Sequence, residues 1–155
     1  MKLLMITSAV FAAMMALVNC DKYEDGRPDK VIRKDFETMY PGARDIEWDR
    51  EGEYWVVSFE TGTRPNDIDH EVWFDNMGNW FMTKTDVALS AVPQEIKDYL
   101  AADPTYGRAT FEDYDAEYIE RPSGNLYRFD LILDGREIHV DVTEDGNVTA
   151  AKHNF

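Results

Sequence analysis

The chain has 155 residues, 44% of them hydrophobic, and carries 31 Asp plus Glu against 16 Lys plus Arg for a formal net charge of −15. This is a globular composition, long enough for one ordinary domain or two very small ones. The charge repels nucleic acid and anionic lipid headgroups, attracts a basic partner or a cation, and also serves solubility.

The first residues, Met1-Lys2-Leu3-Leu4-Met5-Ile6, place one positive charge before an apolar stretch that runs from Leu3 to Val18. A short basic start and a short apolar core are the layout of a secretory signal, and the stretch falls short of the about 20 apolar residues of a membrane-spanning helix. Residues 1–19 are therefore read as a signal peptide. The following Leu17-Val18-Asn19-Cys20 resembles a bacterial lipoprotein box, with Asn19 standing where Gly, Ala or Ser is usual. The resemblance implies that Cys20 is the lipid attachment site, an anchor to the membrane. Cys20 is the chain's single cysteine, so no internal disulfide can form. Residues 20–27 make a short acidic tether.

A first helix is expected from Pro28 through Phe36, with Pro28 and Asp29 suiting the positive end and Ile32 and Phe36 sharing a face. It ends near Tyr40-Pro41-Gly42. Strand-like runs follow at Asp45–Trp48, Gly52–Gly62 and His70–Lys84, with a loop around Thr63-Arg64-Pro65-Asn66. A second helix, Pro93–Leu100, repeats the spacing with Ile96 and Leu100. Strand-like runs then follow at Thr110–Ile119, Gly124–Gly135 and Glu137–Val148. Gly52 and Trp55 answer to Gly124 and Tyr127, and Val72, Phe74, Gly78 and Asn79 answer to Val140, Val142, Gly146 and Asn147. The predicted fold is α+β: two tandem helix-plus-antiparallel-strand repeats, residues 28–90 and 91–155, with the helices on one face of the sheet. Strand alternation assigns Trp55, Val57, Phe59, Val72 and Phe74, with Tyr127, Phe129, Leu131, Val140 and Val142, to the helix-covered face.

The helix end Tyr40-Pro41-Gly42-Ala43, the strand Tyr54-Trp55-Val56-Val57-Ser58-Phe59 and the hairpin Val72-Trp73-Phe74-Asp75-Asn76-Met77-Gly78-Asn79-Trp80 resemble the tandem PepSY-like, β-lactamase-inhibitor-like domains of bacterial exported lipoproteins, frequent in Bacteroides-type bacteria. The resemblance implies a non-enzymatic module in the periplasm or at the cell surface that binds protein through its sheet. It brings no catalytic residues. The second half has Tyr106-Gly107 at the corner and no tryptophan in its hairpin.

The residues themselves offer little chemistry. There is no G-x-S-x-G elbow, phosphate loop or H-E-x-x-H helix. His70, His139 and His153 are scattered. No cofactor, metal or catalytic residue is assigned. The run Asp67, Asp69, His70, Glu71 has hard oxygen ligands but no EF-hand spacing and is read as solvated loop charge. Asp75–Asn79 and Glu144–Asn147 are read as hairpin turns. Tyr54, Val56 and Trp73 should lie on the sheet face without helices, where aromatic groups suit a protein or peptide partner. The second half places Arg128, Asp130, His139 and Asp141 there. The sequence thus points to a binding module, with a cation or small-ligand sensor and a structural envelope component as the other readings.

Overall fold

The computed structural model describes residues 27–152. Helix α1 (Lys30–Met39) begins where the Asp29 carboxylate accepts hydrogen bonds from the Val31 and Ile32 amides at 2.8 and 3.2 Å, satisfying two otherwise orphaned donors. Four strands follow: β1 (Arg44–Glu51), β2 (Tyr54–Thr63), β3 (Asn66–Phe74) and β4 (Trp80–Ala88). Helix α2 (Gln94–Ala102) leads into β5 (Thr110–Phe111), β6 (Asp115–Glu120), β7 (Leu126–Leu133), β8 (Arg136–Thr143) and β9 (Val148–Ala150).

All neighbouring strands are antiparallel and form one sheet, in the order β1-β2-β3-β4-β6-β7-β8-β9, with β5 paired to β7 beside β6. The pairing that joins the halves is β4 with β6, from Thr83 opposite Glu120 to Ala88 opposite Asp115. The fold is therefore α+β, a mainly antiparallel sheet with two helices.

Both helices lie on one face, as the alternation predicts. Ile32 and Phe36 of α1 bury themselves against Val57, Phe59, Val72 and Phe74. Ile96 and Leu100 of α2 do the same against Phe129, Leu131, Val140 and Val142. Phe36 meets Phe59 and Trp48 edge-on at 5.0 and 5.5 Å, a favoured aromatic geometry. Burying a side chain of this size is worth about 2 kcal/mol.

The segment Thr63-Arg64-Pro65-Asn66 is not a longer loop. β2 ends at Thr63 and β3 begins at Asn66, so only Arg64 and Pro65 turn the chain. The β7–β8 turn is equally short, at Asp134 and Gly135. The extra length in the first half is instead paired strand, since β2 and β3 continue in register beyond Phe59–His70 to Thr63–Asn66. Asp67 and Asp69 consequently lie in the same strand as His70 and Glu71 and not in a loop.

Candidate functional site

The face opposite the helices carries a third apolar cluster, Val56, Trp73, Met82, Ile119 and Leu126, with Tyr54 and Phe81 packed at its side. Tyr54, Val56 and Trp73 are thus on the predicted face, but not in equal roles. Val56 and Trp73 are only 4% and 7% exposed. They form a floor, while the partly exposed Tyr54 stands at its margin. The Tyr54 ring packs against Trp73 and Phe81, with centroids 5.8 and 4.6 Å away. Cys20 and His153 lie outside the described residues.

Across this floor runs a row of alternating charge, one residue from each of five adjacent strands. Glu71 on β3 faces Lys84 on β4, whose Nζ lies 3.5 Å from Glu71 and 3.7 Å from Glu117 on β6. Glu117 is paired in register with Arg128 on β7. Arg128 grips Asp141 on β8 through Nε and Nη2, at 2.8 and 3.1 Å. Arg128 and Asp141 are both largely buried, and two-pronged pairing of this kind is the strong form of a charged hydrogen bond. Beside them His139 Nδ1 meets Asp130 Oδ1 at 2.5 Å. The residues predicted for this face in the second half are therefore together and paired among themselves.

Among the described residues, the face carries two adjoining hollows. The larger, about 1010 Å³, is bordered by Tyr54, Trp73, Lys84, Glu117, Arg128 and His139. The smaller, about 460 Å³, is strongly acidic, with Asp45, Glu47, Glu60, Asp69, Glu71, Asp86 and Glu117 around it and Lys84 at its edge. Arg44 and Arg64 approach Glu60 from the rim, at 3.7 and 3.8 Å. Among the described residues no cation pairs with Glu47, Asp69 or Asp86 within 4.0 Å. The cost is visible at Asp86: partial burial, then the carboxylates of Glu117, Asp115, Asp69 and Glu71, push its pKa up to about 6.

Asp69, His70 and Glu71 all border the acidic hollow, but strand alternation turns the His70 ring to different partners. His70 lies between the hydroxyls of Thr61 and Thr85, at 2.7 and 2.9 Å, and stacks on Phe59. Burial lowers its pKa, with Asp69 opposing. Asp75 likewise serves a turn: its carboxylate accepts from the Asn79 side-chain amide at 2.8 Å and from the Asn79 and Met77 backbone amides at 2.9 and 2.8 Å, which holds its pKa below the usual value.

A single antiparallel sheet, helices on one face and a charged, hollowed opposite face define a small α+β module. The profile of the beta-lactamase-inhibitor-like, PepSY-like family matches residues 53–150, and the chain belongs to that family. No protein of curated function matches the sequence. Among solved structures it is similar to a BLIP-like protein from Bacteroides fragilis, with 22% identity, a TM-score of 0.66, and coverage of 79% of this chain and 84% of that one. A candidate periplasmic protein from Bacteroides eggerthii gives 22% identity, a TM-score of 0.67, and coverage of 79% and 86%. A DUF2874-family protein from Bacteroides ovatus gives 21% identity, a TM-score of 0.65, and coverage of 80% and 88%. At these identities the likeness speaks to the fold alone.

Proposed function

We propose that the chain is an exported, lipid-anchored, non-catalytic module, built as two tandem copies of helix plus strands, that holds a protein partner on the sheet face opposite its helices. The observation that carries this reading is the hollowed face itself. It has no helix over it among the described residues and displays Tyr54 beside a five-strand row of fixed charges. Preorganised charge on a rigid sheet gives orientation and specificity more than chemistry. The family's inhibitor-like description and the candidate periplasmic neighbour support binding and export. Signal residues 1–19 and Cys20 supply the export and anchoring half of the proposal.

The test is photo-crosslinking in the native envelope from Glu53 and Tyr54, at the margin of the open face, against Val31 on α1. A specific adduct from the first two positions and none from Val31 is expected. Adducts from Val31 alone, or from neither surface, would sink the reading. Cys20→Ser should release the protein from the membrane fraction and end fatty-acid labelling.

A further inference from the structure

The face is divided by chemistry into a mixed hollow and an acidic one. Lys84 lies between the two hollows and is only 15% exposed. Its ammonium is held by Glu71 at 3.5 Å and Glu117 at 3.7 Å, and stands 5.4 Å above the centre of the Trp73 ring. Two carboxylates and an aromatic face are a receptor for one alkylammonium, here filled from within.

The same strands continue the pattern outward. Beyond Lys84, Asp86 follows on β4, Asp69 lies on β3 and Glu47 on β1, and all three border the acidic hollow. Strand alternation keeps Lys84 and Asp86 on one face. The lysine is supplied once and the carboxylates repeat without it. The site is a 460 Å³ depression in a sheet face, so the ligand that complements it is extended and cationic. A chain carrying −15 overall draws such a ligand in from a distance.

We propose that the acidic hollow receives an extended Lys- or Arg-rich segment of a protein partner, whose cationic side chains take the places beside Asp69, Asp86 and Glu47 that Lys84 takes beside Glu71 and Glu117. This rests on the reading of the open face as a binding surface. It adds which part of that face meets the partner and what the partner carries there. The segment lies across β3 and β4, with its side chains reaching the carboxylates and its flanks directed toward Tyr54 and the larger hollow.

The test uses the full chain and a fluorescein-labelled peptide of alternating lysine and serine, with the glutamate–serine peptide as its opposite, followed by fluorescence anisotropy. The lysine peptide should bind and the glutamate peptide should not. Asp69→Asn with Asp86→Asn should lose about tenfold in affinity, the equivalent of 1.4 kcal/mol. Glu112→Gln with Asp113→Asn removes the same charge from the loop between β5 and β6 and should change binding less than about twofold if only general attraction is lost. A melting curve checks that both double variants are folded. Equal losses in the two pairs, no binding of the lysine peptide, or calorimetric heat from calcium alone that disappears with Asp69→Asn and Asp86→Asn would overturn the proposal. Envelope crosslinks from Glu53 and Tyr54 that persist unchanged in that variant would leave the binding face standing and remove the basic segment.

Discussion

Lys84 bridges Glu71 and Glu117 from the strand between them and covers Trp73 with the same ammonium group. This one side chain is shared between two carboxylates and caps the apolar floor, so its removal should be felt in stability as well as in binding. Lys84→Met keeps the length of the stem but leaves two carboxylates uncompensated beside Trp73. Lys84 is 15% exposed, but Glu71 and Glu117 are 42% and 34% exposed and so partly screened by water, and a loss of about 1 kcal/mol is expected in urea unfolding. A further Glu117→Gln change should recover part of the loss.

Thr83 is 2% exposed, and its hydroxyl ties two elements together. It accepts from Trp80 Nε1 at 3.0 Å and pairs with the Tyr40 hydroxyl at 3.0 Å, joining the end of α1 to β4. Thr83→Val preserves shape but orphans both partners. It should cost about 1–3 kcal/mol, the desolvation penalty of unpaired polar groups. Thr83→Ser retains the hydroxyl and should cost less, which separates the hydrogen bonds from the packing in the same denaturation experiment.

Each helix rests against a hairpin glycine: Ile32 on Gly78, and Tyr99 on Gly146. Gly146 has φ +87, and an added Cβ would stand 2.9 Å from the Tyr99 ring. Gly135, with φ +75, has no atom within 4 Å of the equivalent position. Gly135→Ala should therefore show left-handed strain alone, about 1–2 kcal/mol. Gly146→Ala adds displacement of Tyr99, which is held to Glu95 by a 2.6 Å hydrogen bond. Its melting temperature should fall further, and Tyr99→Ala should mask the difference in a double-mutant cycle.

These relationships mark where the sequence stops being readable. The helices and their buried faces follow from local signals: Asp29 before an amphipathic run, and Ile32 and Phe36 one turn apart. The two-residue period likewise separates Val57 from Val56. Local pattern cannot disclose that β4 pairs with β6, because that contact depends on where the second half folds back. Met82, Ile119 and Leu126 form a common floor only once that pairing exists, and the row from Glu71 to Asp141 needs the register of five strands together. The Arg64-Pro65 turn has loop-like composition, which hides the paired strand on either side and turns the strand at Asp67 and Asp69 into an apparent loop. Tyr54, Val56 and Trp73 are legible as residues of one face; their unequal exposure is not, since it depends on neighbours remote in the chain.

Two groups on opposite faces give stability opposing dependences on pH. Asp86 has its pKa raised from 3.8 to about 6, so the folded chain binds a proton there that the unfolded chain has already lost. Its contribution is present at low pH, falls as pH rises between those values, and remains unfavourable above 6. His70 is lowered from 6.5, chiefly by burial between Thr61 and Thr85. Here the unfolded chain takes the proton more readily, so stability is lost as pH falls below 6.5. Asp86→Asn should therefore stabilise the chain above pH 6 and have little effect near pH 4. Asp86 is only partly buried and keeps more than a third of its surface in solvent, so screening limits the gain to about 1 kcal/mol. The carboxylates packed around it, Asp69 and Glu71 from β3 and Asp115 and Glu117 from β6, predict that the gain shrinks in high salt. His70→Gln should remove the loss on the acid side of 6.5 without altering the Asp86 slope. Urea unfolding of the two variants across this range resolves both: parallel curves for wild type and Asp86→Asn would show that the carboxylate cluster does not hold the proton assigned to it.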